Sequence, residues 1–235
     1  MSPRKANTPV LTRSQIVEAA VRLVDRDGLA ALSMRRLASE LGVGPMSLYY
    51  HVPDRAALED LIFDAVMGEV DFSADDPALE VEERAVRLGY ALRSALLAHP
   101  NTVPITLSRS ARTPGQLRPV EVMLGMLYDL GLSPTDAIAA VDIIGQYVFG
   151  TTLAYVNRLA QEGQSEDVPE PGGESGITPA EFPNLMRALQ ESEYLGWDRM
   201  FDRGLRAIVR GLIVDKLDEP PAAAASRRQA TGSAP

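Results

Sequence analysis

From Thr12 to Leu217 the apolar residues of this chain return every three or four positions and almost nowhere every second one. That period belongs to helices buried along one stripe, and it excludes a sheet-based fold for most of the chain. Ile16, Ala19, Ala20, Leu23 and Val24 form the first stripe, and Leu37, Ala38 and Leu41 the second. Ala57, Leu58, Leu61, Ile62, Ala65 and Val66 form a third. Val81, Ala85, Leu88, Leu92, Ala95 and Leu96 continue the pattern, and Phe201, Leu205, Ile208, Leu212 and Ile213 close it. The β-branched run near Ile143–Val148 is the one place where a strand competes. The expectation is an all-α chain of roughly nine or ten helices.

Start and stop signals divide these stripes. Thr12, Ser33 and Asp54 are of the type that caps a helix N-terminus. Gly28 and Gly42 are of the type that ends one, and Pro45 suits a first turn. A very short helix therefore runs from Pro45 to about His51 and is stopped by Pro53. Further on, helices are expected over 80–99, 116–130, 134–161, 179–192 and 197–217, with a turn or two over 101–108. Loops fall at 108–115 and 162–179. The resulting organisation is an arm over 1–10, a three-helix unit over 11–55, a connecting helix over 54–70 and a larger helical domain over 71–218. A disordered tail follows over 219–235.

The formal charge of −9 argues at first against a nucleic-acid partner, but it is unevenly spread. Residues 1–55 carry eight basic and five acidic side chains, a balance of +3, whereas the remainder carries −12. Such asymmetry points to a division of labour between a basic front and an acidic body. With no cysteine and only two histidines, disulfides and thiolate or multi-histidine metal sites are excluded. No metal and no cofactor is expected. No secretory leader precedes the first helix, so a cytoplasmic protein is expected. The apolar stretch 137–157 contains Asp142 and Gln146 and reads as a buried helix, not a membrane span.

The segment "LGVGPMSLYYHV" has a tight glycine turn and then a stubby helix crowded with tyrosines. Two helices joined this way form a helix-turn-helix, whose second helix can enter the DNA major groove. Ser33 starts the first of the pair, and Arg35 and Arg36 sit at its N-terminus. Positive charge opposes the helix dipole there unless a phosphate or base edge is nearby. Gly44, Pro45, Met46, Ser47, Tyr49, Tyr50 and His51 form the second helix and its entry. Tyrosine hydroxyls suit phosphates, and Met46 suits a thymine methyl. Arg55 begins the next helix, where its charge and the backbone amides can both reach a phosphate. Leu48 and Tyr49 must help hold the short helix down. Arg22 and Arg26 read as a solvated face. The Gly-x-Gly lacks the strand and third glycine of a dinucleotide site.

The segment "IVEAAVRLVDRDGLAALSMRRLASELGVGPMSLYYHVPDRAAL" resembles the DNA-binding domain of the tetracycline-repressor (TetR) family over residues 11–66. The resemblance implies that Arg35 reads a base and that Pro45, Met46 and Ser47 lie in the groove. Tyr49, His51 and Arg55 would hold the backbone. Pro53 and Arg55 stand where the family usually has a lysine. Beyond residue 66, "LRSALLAHP", "TLSRSARTP" and "DIIGQYVFGTTLAYV" are similar to the family's effector-binding and dimerisation domain. By position, Leu88, Leu92, Thr106, Arg109, Arg112, Gln116, Met123, Leu127, Ile138, Val141 and Tyr147 would line the effector pocket. Helices 134–161 and 197–217 would form a homodimer. The family's tetracycline sensors place a histidine at the position of Thr106 and an asparagine at that of Leu88. Neither is present, so an apolar organic effector is expected in place of magnesium–tetracycline.

Together these readings describe a ligand-responsive repressor that binds palindromic double-stranded DNA as a homodimer, without membrane contact and without catalysis. Glu82–Glu83 and Asp75–Asp76 are adjacent pairs that read as surface, and no nucleophile elbow or phosphate loop is present. A helical scaffold for protein partners is the alternative. It would account for the acidic body but not for Arg35, Arg36 and the tyrosine-rich helix.

Overall fold

A computed structural model describes residues 11–108, 113–162, 178, 180–193 and 195–214. Among them every regular element is helical: α1 (Arg13–Asp27), α2 (Met34–Glu40), α3 (Pro45–His51), α4 (Arg55–Gly68), α5 (Val81–Ala98), α6 (Val103–Ser108), α7 (Pro114–Asp129), α8 (Pro134–Glu162), α9 (Pro183–Glu191) and α10 (Trp197–Val214). Short 3₁₀ turns precede α2, α5 and α6. The β-branched run near Ile143–Val148, where a strand competed, is the middle of the helix expected there, α8. The expected arm, the tail and most of the 162–179 loop lie outside the described residues.

The first three helices fold around the stripe foreseen on α1, whose five inward residues are all buried. Thr12 and Gln15 form a reciprocal capping box at its start. Between α2 and α3 the chain turns at Gly42, with φ of +66°. Val43 N–H donates to Ala38 C=O at 3.0 Å and Gly42 N–H to Ser39 C=O at 3.2 Å. This pairing satisfies the last carbonyls of α2, and it needs a residue that tolerates positive φ. Leu48 and Val52 close the small core beneath the turn.

α4 belongs to two packing units. Asp54 caps it by accepting from Ala57 N–H at 2.7 Å. Leu58, Ile62, Phe63, Val66 and Met67 are buried along it, because it packs on α1 on one side and on α5, α6 and α7 on the other. The larger domain is held by α5, α7, α8 and α10. α10 runs antiparallel to α5, its stripe Phe201, Leu205, Val209 and Leu212 turned inward. Polar pairs lace the seam: Glu82 with Arg210, Glu83 with Arg206, Tyr90 with Asp202 and Arg93 with Asp198. Glu82, Glu83 and Asp75 are thus partnered by arginines and not merely solvated, Asp75 accepting from Arg84 at 2.7 Å, while the Asp76 carboxylate accepts only from the nearby Ala78 N–H among the described residues.

α8 departs from the expected buried helix. By length and composition it could cross a membrane, yet only 28% of its most apolar window is buried. Ala137, Ala140, Ile144, Val148 and Thr152 face inward. Ile138, Ile143, Gly150 and Ala154 share the outward side with Asp142 and Gln146.

Candidate nucleic-acid interface

The short helix α3 is fastened at one point. Leu48 is 0% exposed, whereas Met46 is 79%, Tyr49 46% and Tyr50 88% exposed. Pro45 occupies its first turn after Gly44, and Ser47 is also exposed. The anchor is therefore Leu48, with Tyr49 left half outside. His51 is half-buried and meets Tyr50 edge to face at 5.3 Å. Large apolar and aromatic groups cost hydration free energy when left in water, so this face is built for a partner surface.

The basic residues beside it divide into two groups. Arg35 is exposed, with no ion pair among the described residues, and points from the first turn of α2. Arg36 instead donates to Asp27 at 2.6 Å, and Ser33 is used as the N-cap of α2, accepting from Arg36 N–H at 3.2 Å. Arg55 differs from its expected free, phosphate-facing position. Its guanidinium donates to Glu59 at 2.7 Å and to the carbonyls of Leu32 and Leu29 at 2.9 and 3.3 Å. It holds the turn between α1 and α2 against α4. Arg26 is likewise not an idle surface residue. It donates to Asp27 and to both oxygens of Glu40, at 2.8 and 3.1 Å, and so locks α1 to α2. Hydrogen bonds to Glu40 and then Asp27 raise its pKa further, and its own donors hold both carboxylates below their ordinary values.

On the other side of α4, Leu88, Leu92, Met123 and Leu127 are buried in the larger domain, and Val141 is partly so. Gln116 is buried and its side-chain amide donates to Asp60 C=O at 2.9 Å. Thr106 lies on α6, while Arg109 and Arg112 lie outside the described residues. Two candidates differ from a shared pocket wall. Ile138 is 45% exposed, because its place on α8 turns outward. Tyr147 stacks on Phe201 at 5.8 Å and donates to the carbonyls of Met200 and Phe201, so it faces α10. There it borders a cleft of about 230 Å³ with Arg93, Thr151 and Trp197.

Sequence reasoning missed two contacts that tie this domain to α4 and α1. Asp64 accepts from Gly115 N–H at 2.7 Å, setting a carboxylate at the N-terminus of α7. His99 lies between Asp25 of α1 and Glu69 at the end of α4, at 2.8 and 3.0 Å. Both join residues far apart in the chain, and neither carries a local signal.

Comparison with known proteins bears on most of the chain. Residues 16–60 match the profile described as bacterial regulatory proteins, tetR family, and residues 75–215 match the tetracyclin repressor-like C-terminal domain. The HTH-type transcriptional repressor DrrR1 of Streptomyces coeruleorubidus is 33% identical, covering 82% of this chain and 69% of that protein. The class A tetracycline repressor from transposon 1721 of Escherichia coli is 30% identical, over 88% of this chain and 93% of its own. The structure of ActR from Streptomyces coelicolor in complex with actinorhodin superposes with a TM-score of 0.75 at 30% identity, covering 90% of this chain and 99% of that one. With its reading helix, its connecting helix and its larger helical domain all accounted for, this chain belongs to the tetR family of DNA-binding, ligand-responsive transcriptional regulators.

Proposed function

We propose that the protein is a cytoplasmic repressor that binds a palindromic operator as a homodimer and leaves it when an apolar organic effector occupies the larger domain. The observation that supports this most is the exposed face of α3, whose one buried residue is Leu48, beside Arg35, which has no ion pair among the described residues. One short helix reads few base pairs, so two copies spaced about 34 Å apart are needed for a specific site. The outward side of α8, with Ile138 and Ile143 beside Gly150 and Ala154, is the apolar surface that a second copy would cover. Small residues there permit close helix approach.

For the effector, the buried Leu88, Leu92, Met123 and Leu127 favour an apolar ligand, and ActR is seen with actinorhodin and with (S)-DNPA. Thr106 brings no imidazole to a chelated metal and Leu88 no hydrogen-bonding group to the drug, so magnesium–tetracycline is not the signal. The test is fluorescence anisotropy of the protein on duplex DNA upstream of its own gene at two salt concentrations. Binding should be tight and salt-sensitive, and Arg35→Ala should weaken it by about 1–3 kcal/mol, the loss of one base contact. Equal affinity for random DNA, both there and after selection from random duplexes, would refute the reading. Release by micromolar tetracycline with magnesium would refute the effector assignment.

A further inference from the structure

His99 caps the C-terminus of α5, with its side chain only 16% exposed. Its Nδ1 is 2.8 Å from Oδ2 of Asp25, in the last turn of α1, and its Nε2 is 3.0 Å from Oε2 of Glu69, which follows α4. An ionised carboxylate only accepts hydrogen bonds, and a neutral imidazole has one N–H to give. Both contacts are hydrogen bonds at once only when the ring is an imidazolium. A proton on either carboxyl is the poorer solution, since imidazole is the stronger base by roughly two units. Oδ1 of Asp25 is itself buried without a partner, which makes Asp25 the more dependent on this donor. The same turn of α1 is gripped a second time, because Asn101 Nδ2 donates to the carbonyls of Val24 and Asp25 at 3.1 and 3.0 Å. Asp25 from α1 and Glu69 from α4 are the charged groups acting on the ring, and Asn101 adds none.

We propose that His99, as an imidazolium, is a positioning residue that pins the reading head to the effector domain in its operator-competent orientation, so that operator binding is linked to the proton on this ring. The inference rests on α3 reading DNA. Burial, the largest single influence, favours the neutral ring. The hydrogen bonds to Asp25 and then Glu69, with their charges, together outweigh it and hold the pKa above the ordinary 6.5. A raised histidine pKa means that the clamp is complete below about pH 6.5 and is lost as pH rises through the folded value. The neutral ring keeps its one N–H for Asp25 and leaves Glu69 facing a lone pair, so the tie between the ends of α4 and α5 that holds α1 in place is broken.

The test uses the full chain on a duplex obtained by binding selection, with anisotropy read from pH 6 to 9 at fixed ionic strength for wild type, His99→Asn and His99→Arg. His51 is present in all three, so differences between profiles isolate His99. Wild type should lose at least about fivefold more affinity across the range than His99→Asn, the lower end of ordinary coupling between sites. His99→Arg, which keeps donors for both carboxylates at every pH, should bind at pH 9 as wild type does at pH 6. In parallel, NMR titration of the two histidine rings should place His99 above its ordinary value, and Glu69→Gln should lower it. Superimposable wild-type and His99→Asn profiles, affinity that rises with pH, or a His99 ring titrating at or below the ordinary value would each overturn the proposal. Absence of any selected duplex at pH 6 would instead overturn the DNA-reading function on which it rests.

Discussion

Gly115 offers a decisive perturbation, because a single methyl group there meets an obstacle that cannot rotate away. A Cβ at this position would lie 2.6 Å from the backbone oxygen of Asp64 and 2.6 Å from its Oδ1. The carboxylate can swing aside, but the backbone oxygen is fixed in α4, so α7 must back off. Doing so stretches the hydrogen bond from Gly115 N–H to Asp64 and the one from Gln116 to Asp60 C=O, now 2.7 and 2.9 Å. Overpacking costs about 1–3 kcal/mol, and a weakened bond to a charged group adds to this. The helical preference of alanine over glycine returns at most about 1 kcal/mol. A net loss of about 2 kcal/mol remains, which lowers Tm by roughly 4–8 °C for a chain of this size. Gly125 on the same helix is the control, since nothing lies within 4 Å of its Cβ position. Gly125→Ala should therefore leave Tm unchanged or raise it. The assay is thermal unfolding followed by circular dichroism. If Gly115→Ala melts with wild type, or if both variants fall together, the close approach of α7 to α4 is not as described.

Other outcomes separate reading from folding. Met46→Ala should change stability by no more than about 0.5 kcal/mol, as an exposed site does, while weakening operator binding. Leu48→Ala should cost about 2–5 kcal/mol in a denaturant titration, because it empties the one fully buried position of α3. Thr12→Ala should cost about 1 kcal/mol by removing the cap of α1. Glu83 is held below its ordinary 4.5, chiefly by the hydrogen bond from Arg206. Its contribution is present above that pH and fades as pH falls through the folded value, so the Tm gap between wild type and Arg206→Met should narrow in acid.

The local level was the legible one. All five inward residues of α1 followed from spacing alone, and the caps at Thr12, Ser33 and Asp54 followed from residue type. Phe63 and Met67 were missed because α4 is packed on two sides, and a helix buried twice has no single stripe to read. Val209 was missed on α10, between two positions that were found. The larger gaps concern charge. A sequence shows that Arg26, Arg36 and Arg55 are cationic but not which acid each will meet. Asp25 and His99 are 74 positions apart, and Asp64 and Gly115 are 51 apart. Such pairs arise only from the packing of whole helices, so no window along the chain contains both partners.

Spending three guanidinium groups inside the reading unit has a consequence for how the protein finds its site. Arg26, Arg36 and Arg55 are neutralised by Asp27, Glu40 and Glu59, which leaves Arg13 and Arg35 as cations without an ion pair on the described front. Each phosphate contact adds about 0.9 to the salt slope of binding and strengthens adhesion to any sequence. With few such contacts available on the described front, and an acidic body repelled by the duplex, adhesion of this unit to random chromosomal DNA should be weak and its salt slope shallow. Fewer copies would then be sequestered at wrong sites, and a smaller cellular pool would keep one operator occupied.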